Sequence, residues 1–204
     1  MHDDLKARLD AIEASLDPEG ARSRLILASL FVATFEALKG AIIQPALAFF
    51  ANRYTASGPE ESEKYKRVVL ARHPSKVAAT LMFLRDEMNA ITEDDLKAYD
   101  RIRTCRNQIA HELLNIAWDR GLPSGFAERF TEMVDLMRKV DRWWFENVEM
   151  ATNEDIPRDA DPSAALSGAD FVLQVITKVA LAPASEGCEL LEGFRRERRK
   201  RGFP

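Results

Sequence analysis

The sequence predicts an all-α protein, an up-and-down antiparallel helical bundle with extra helices at its N- and C-terminal ends. Three observations carry that reading. Apolar residues recur at helical spacing along nearly the whole chain. No sustained polar–apolar alternation, and no Asn-Gly or Asp-Gly turn between apolar runs, marks a strand or hairpin. Four consecutive helical segments of fair length are joined by short breaks, which makes chain neighbours antiparallel.

Taken in order, residues 3–16 form a short amphipathic helix stopped by Asp17-Pro18. Residues 21–53 form a long apolar helix with a kink or break near Pro45, because proline lacks the amide donor and clashes one turn back. Thr55–Glu63 reads as a loop, and residues 64–72 add a helical turn or two before Pro74. A helix from Ser75 to about Ala90 carries Val77, Leu81 and Leu84 on one face. Thr92 caps the next helix, with Asp95 three residues on as in a capping box. That helix runs to about Arg120 and stops at Gly121-Leu122-Pro123. Ser124 opens a further one over about 125–151, with Phe130, Val134, Met137 and Val140 in phase. Residues 153–162 are a polar linker, and Asp161-Pro162 suits the N-cap and first position of a helix over about 163–182. The domain reading is therefore a bundle over 1–152 with its core in about 20–150. Residues 153–204 supply a linker, a C-terminal helix and a basic tail.

A chain of 204 residues has room for one sizeable helical domain with decorations. Its 46% hydrophobic and 30% charged content is that of a globular protein and excludes global disorder. A net charge of −4 gives no bulk attraction for nucleic acid, so such a function needs a local basic site. Cys105 and Cys188 are far apart, with no CxxC pattern; neither a zinc site nor a disulfide framework is expected, and a reducing cytoplasm suits them. The N-terminus is acidic and amphipathic, so no signal peptide is expected. The apolar run from Leu25 to Ala51 is interrupted by Glu36, Lys39 and Gln44, which predicts a buried helix rather than a membrane span.

The 92–120 helix holds the informative residues. Tyr99, Ile102, Ile109, Leu113 and Ile116 make one apolar stripe, and its missing step, position 106, is an arginine. A guanidinium at a seam is costly unless paired. One reading is a structural ion pair with Glu36, the acid within the otherwise apolar run; another is an arginine snorkelling at the edge of the seam. His111 lies roughly 140° around the wheel from Arg106. Asp100, Asn107, Leu114 and Trp118 point near the same direction as His111, a mix of polar groups and an aromatic that suits a second interface better than a plain solvent face. Asn107 and His111 are four apart, so their side chains can meet.

The run RNQIAHE, Arg106 to Glu112, resembles the signature of HEPN (higher eukaryotes and prokaryotes nucleotide-binding) domains: an arginine, often followed by Asn, Asp or His, then a histidine after four to six residues, late in a long helix. The resemblance spans roughly residues 20–150. It implies a bundle of four or five helices that dimerises with the motif helices facing each other, here the 92–120 helix. It further implies metal-independent RNA cleavage, with Arg106, Asn107 and His111 catalytic and no cofactor. Asp100, on the face of His111, and Arg103 are expected to contact substrate. A toxin or phage-defence effector with an antitoxin or other protein partner is a further expectation. The tyrosine that one branch of HEPN toxins carries two residues after the histidine is Leu113 here, which departs from that branch. A catalytically silent module binding a protein or nucleotide is the alternative.

Other features have two readings each. RRERRKR, Arg195–Arg201, is either an electrostatic hold on RNA or a solvated helix end. Trp143 and Trp144 either stack on bases or belong to core and interface. His73, before Pro74, is a loop histidine that a nearby site would recruit.

Overall fold

The computed structural model describes residues 17–154, 156–157, 161, 167–181 and 184–201. The expected 3–16 helix lies outside these residues, as does Pro162 of the expected Asp161-Pro162 cap. The chain is an all-α helical bundle. Its helices are α1 (Pro18–Phe50), α2 (Glu63–Val68), α3 (Lys76–Asp86), α4 (Glu93–Asn115), α5 (Phe126–Trp144), α6 (Gly168–Leu181) and α7 (Ala184–Lys200).

Helix α1 is the axis of the molecule, with α3, α4, α5 and α6 packed around it. Asp17 accepts hydrogen bonds from the Glu19 and Gly20 amides at 3.2 and 2.9 Å, and Pro18 takes the first helical position, so the Asp-Pro pair opens this helix. Ala28, Phe31, Phe35, Leu38, Ile42, Leu47 and Phe50 line its buried side. Among the described residues α1 is the one helix long and apolar enough to cross a membrane, and its neighbours cover its buried side. The break expected at Pro45 does not occur, and α1 runs through it to Phe50. A mid-helix proline costs about 3 kcal/mol, a sum that packing on four helices offsets.

The Thr55–Glu63 segment is more ordered than a plain loop. Tyr54–Thr55 (β1) pairs antiparallel with Gly58–Pro59 (β2), and Gly58 at φ 109° takes a backbone shape that favours glycine. Next along the chain come α2 and a 3₁₀ turn at Leu70–Arg72. The capping box at Thr92 forms as expected. The Asp95 amide donates to Thr92 Oγ1 at 3.4 Å, and the Thr92 amide donates to Asp95 Oδ2 at 2.6 Å. Lys139 of α5 reaches the same carboxylate at 2.6 Å, tying the two helices at this cap.

Helices α4 and α5 both end in π-turns, at Ile116–Arg120 and Phe145–Glu149. The N-cap of α5 is Gly125 at φ 72°, one residue beyond the expected Ser124. Met133, Leu136, Met137, Val140 and Trp144 form its core face, with Phe130 and Val134 half-buried beside them. α6 packs on α1 and α5, and Arg138 clamps it to α5 through a two-pronged pair with buried Asp170 at 2.9 and 3.0 Å. With Asp170 buried, α6 leaves Phe171, Val172, Val175 and Val179 exposed, while Ile176 lines a groove against Leu25 and Leu30 of α1.

Candidate active site

Ile102, Cys105, Ile109 and Ile116 hold α4 against the bundle, with Tyr99 stacked on Phe35 of α1 at 5.9 Å. Burial lifts the Tyr99 phenol to about 12 and raises the Cys105 thiol above its usual range, so both are inert packing groups near neutrality. Leu113, expected in this stripe, is instead 40% exposed. Glu112 has non-helical dihedrals (φ −109°, ψ 15°), and this kink turns the last part of α4 away from the ideal wheel.

Arg106 occupies the gap in the stripe. Its Nη2 lies 3.3 Å from Glu36 Oε1, the partner read from the sequence. The guanidinium lies over the Phe35 ring, 5.6 Å from its centroid. Its Nη1 donates to Asn107 Oδ1 at 3.5 Å, the limit of a hydrogen bond. The Nε is buried without a partner. Arg106 thus stays 31% exposed and loosely held. Glu36 is shared with Lys39 at 2.6 Å; that hydrogen bond first, then the Lys39 and Arg106 charges, lower its carboxyl below the usual range.

Asn107 and His111 are both exposed, one turn apart on the stripe that continues to Leu114 (86% exposed) and Trp118 (55% exposed). Among the described residues no hydrogen bond joins Asn107 and His111, which the spacing would permit. The His111 imidazole has no hydrogen-bond or ion-pair partner among the described residues. At the far end of the helix, Arg24 of α1 donates from Nη2 to the Ala117 carbonyl at 2.8 Å and fixes the π-turn that carries Trp118.

Arg103 and Asp100 pair with each other at 3.1 Å, upstream on the same exposed side. They also line a groove of about 370 Å³ between α3 and the first half of α4, together with His73 and Ser75. The sequence alone placed His73 in a loop; the arrangement of α3 and α4 around α1 is what makes it line the same groove as Arg103. The local signal was the His-Pro-Ser run just before a helix start. Trp144 is core and meets Trp143 edge-on at 5.1 Å. The basic tail ends α7 as exposed helix, with Lys200 and Arg201 reaching Glu197 at 3.5 and 3.7 Å.

Comparison with protein-family models, with curated proteins and with solved structures finds no match for this chain.

Proposed function

We propose that the chain is a HEPN-type, metal-independent endoribonuclease that works as a cytoplasmic homodimer through α4. The observation that carries this reading is the placement of Arg106, Asn107 and His111 within six residues of one helix, with a guanidinium that its partners hold only loosely. Imidazole exchanges protons near neutral pH, so His111 accepts the proton of a ribose 2′-hydroxyl. The freed oxygen attacks the adjacent phosphorus, and the bond to the 5′ oxygen breaks. That oxygen takes a proton from the partner copy's imidazolium or from water, leaving a 2′,3′-cyclic phosphate and a 5′-hydroxyl. Arg106 faces the charge that builds on the phosphorane, where a planar fork of donors is most effective. Asn107 orients the phosphate or the imidazole. One helix supplies few groups, so a second copy completes the site. Leu114 and Trp118 supply the exposed apolar surface for that twofold contact.

One observation favours the alternative of a silent binding module: His111 lacks an orienting partner within its own chain, among the described residues. A cleavage assay on structured and unstructured RNA in EDTA separates the two. The wild type is expected to release cyclic-phosphate ends, and His111→Ala to lose roughly 10²–10⁴-fold in rate. Equal activity, or equal inertness, of the two proteins refutes the catalytic reading.

A further inference from the structure

The α3–α4 groove has a shape and lining of its own. Ala78, Leu81, Met82, Leu96 and Tyr99 make an apolar floor. At one end Arg85 of α3 and Glu93 of α4 form an ion pair that closes it. At the other stand His73, Ser75, Asp100 and Arg103. Its volume of about 370 Å³ falls within the roughly 300–1,000 Å³ of small-ligand pockets, which typically set a few polar groups around an apolar floor.

The polar end is equipped for an anion. The Ser75 amide donates to His73 Nδ1 at 2.9 Å, so the neutral ring carries its proton on Nε2, a donor free of that contact. Ser75 is the N-cap of α3, yet its hydroxyl makes no capping bond and stays available. Among the described residues Arg103 pairs with Asp100 alone, a solvent-exposed pair of a kind worth little. The carboxylate of Asp100 accepts hydrogen bonds, as the hydroxyls of a ribose or the amino group of a base supply.

We propose that this groove seats one nucleotide of a single-stranded RNA beside the cleavage site, its base on the apolar floor and its phosphate against His73, Ser75 and Arg103. The inference rests on the ribonuclease reading for its substrate class. Asp100, Arg103, Asn107 and His111 lie on one side of α4, and Arg103 stands eight residues before His111, about 12 Å along the helix axis. A strand bound along this edge therefore passes from the groove to the motif.

The test is fluorescence anisotropy with a labelled 2′-O-methyl RNA 12-mer, which lacks the attacking hydroxyl, combined with cleavage kinetics on the matching RNA. Wild type and His111→Ala are expected to bind the oligonucleotide alike. His73→Ala removes the donor, and Met82→Trp fills the floor; each is expected to weaken binding about tenfold and to raise KM with little change in kcat. Circular dichroism verifies the fold of each variant, and His73, lying in the segment before α3, gives the milder change. If both variants bind as tightly as wild type, the groove inference is overturned and the cleavage reading stands. If they lose binding while His111→Ala cleaves as well as wild type, the groove inference holds and the cleavage reading falls. A wild type that does not bind the oligonucleotide overturns the groove inference outright.

Discussion

Among the arginines that cross between helices in this molecule, Arg138 and Arg106 are held very differently. At the α5–α6 junction Arg138 grips Asp170 with two short bonds, and the aspartate is almost fully buried. At the α1–α4 junction Arg106 meets Glu36 through one contact of 3.3 Å, while Glu36 is held more closely by Lys39. The first pair engages both oxygens of the buried carboxylate and fixes a helix. The second leaves the guanidinium on two long contacts with its buried Nε unpartnered, beside Asn107 and five residues before His111. An arginine–carboxylate pair read from sequence therefore does not say whether the arginine is spent on the fold; the number and length of its bonds do.

That contrast can be broken by mutation. The largest effect expected is on chemistry. On the proposed ribonuclease reading, Arg106→Ala is expected to lower RNA cleavage by roughly 10²–10³-fold, the scale of removing one donor to a developing oxyanion, while its melting temperature stays near wild type. A large drop in stability with activity intact would make Arg106 a structural residue like Arg138. The reverse is expected at the other junction: Arg138→Met strands a buried carboxylate and costs about 2 kcal/mol in a denaturant titration, discounted from a fully buried pair because Arg138 is half exposed. Cleavage by that variant should persist at temperatures where it is folded. Glu36→Gln is expected to cost well under about 1 kcal/mol, as exposed pairs do, and to leave cleavage at or above the wild-type rate.

Two carboxyl effects near these junctions, at Asp141 and at Glu36, differ in the sign of their pH dependence. Burial raises the pKa of Asp141, which faces Ser167 and Asp170 and has Oδ2 buried without a hydrogen-bond partner. A carboxyl raised in the folded state favours the protonated protein, so its contribution declines as pH rises from the ordinary aspartate range through the folded pKa. Asp141→Asn should therefore raise the melting temperature modestly at pH 7, and the gain should fade towards pH 4. Glu36, lowered by Lys39 and Arg106, contributes stability above the ordinary glutamate range, lost as pH falls through its folded pKa. The small deficit of Glu36→Gln should thus shrink in acid. Parallel slopes for the two variants would contradict the contrast.

Much of this was legible in the sequence because the signals were local. Thr92 and Asp95 are three residues apart and form their box regardless of the rest of the chain. The gap at position 106 and the isolated acid at 36 named the ion pair, since each is an exception within an apolar pattern. The features that escaped it depended on packing. Pro45 breaks a solitary helix, and only the neighbours of α1 show why it does not break this one. Leu113 left its stripe because of backbone dihedrals at Glu112 that no residue there announces. α6 is apolar around most of its circumference, so the sequence could not tell which side met the bundle; the inward Asp170 decided it. The α3–α4 groove joins residues some thirty positions apart and has no signature along the chain.

The embedding of Ile109 within RNQIAH has a consequence for descent. Ile102, Cys105 and Ile109 lock the turns that carry Arg106 and His111 into the bundle. An insertion or deletion inside the motif would rotate the remainder of the helix by about 100°. It would also pull a fully buried isoleucine out of place, at roughly 2–5 kcal/mol if judged by truncating such a side chain. The arginine-to-histidine interval is therefore guarded by folding as well as by any chemistry. A descendant with no use for the proposed catalysis would be free to lose the exposed histidine but not the spacing.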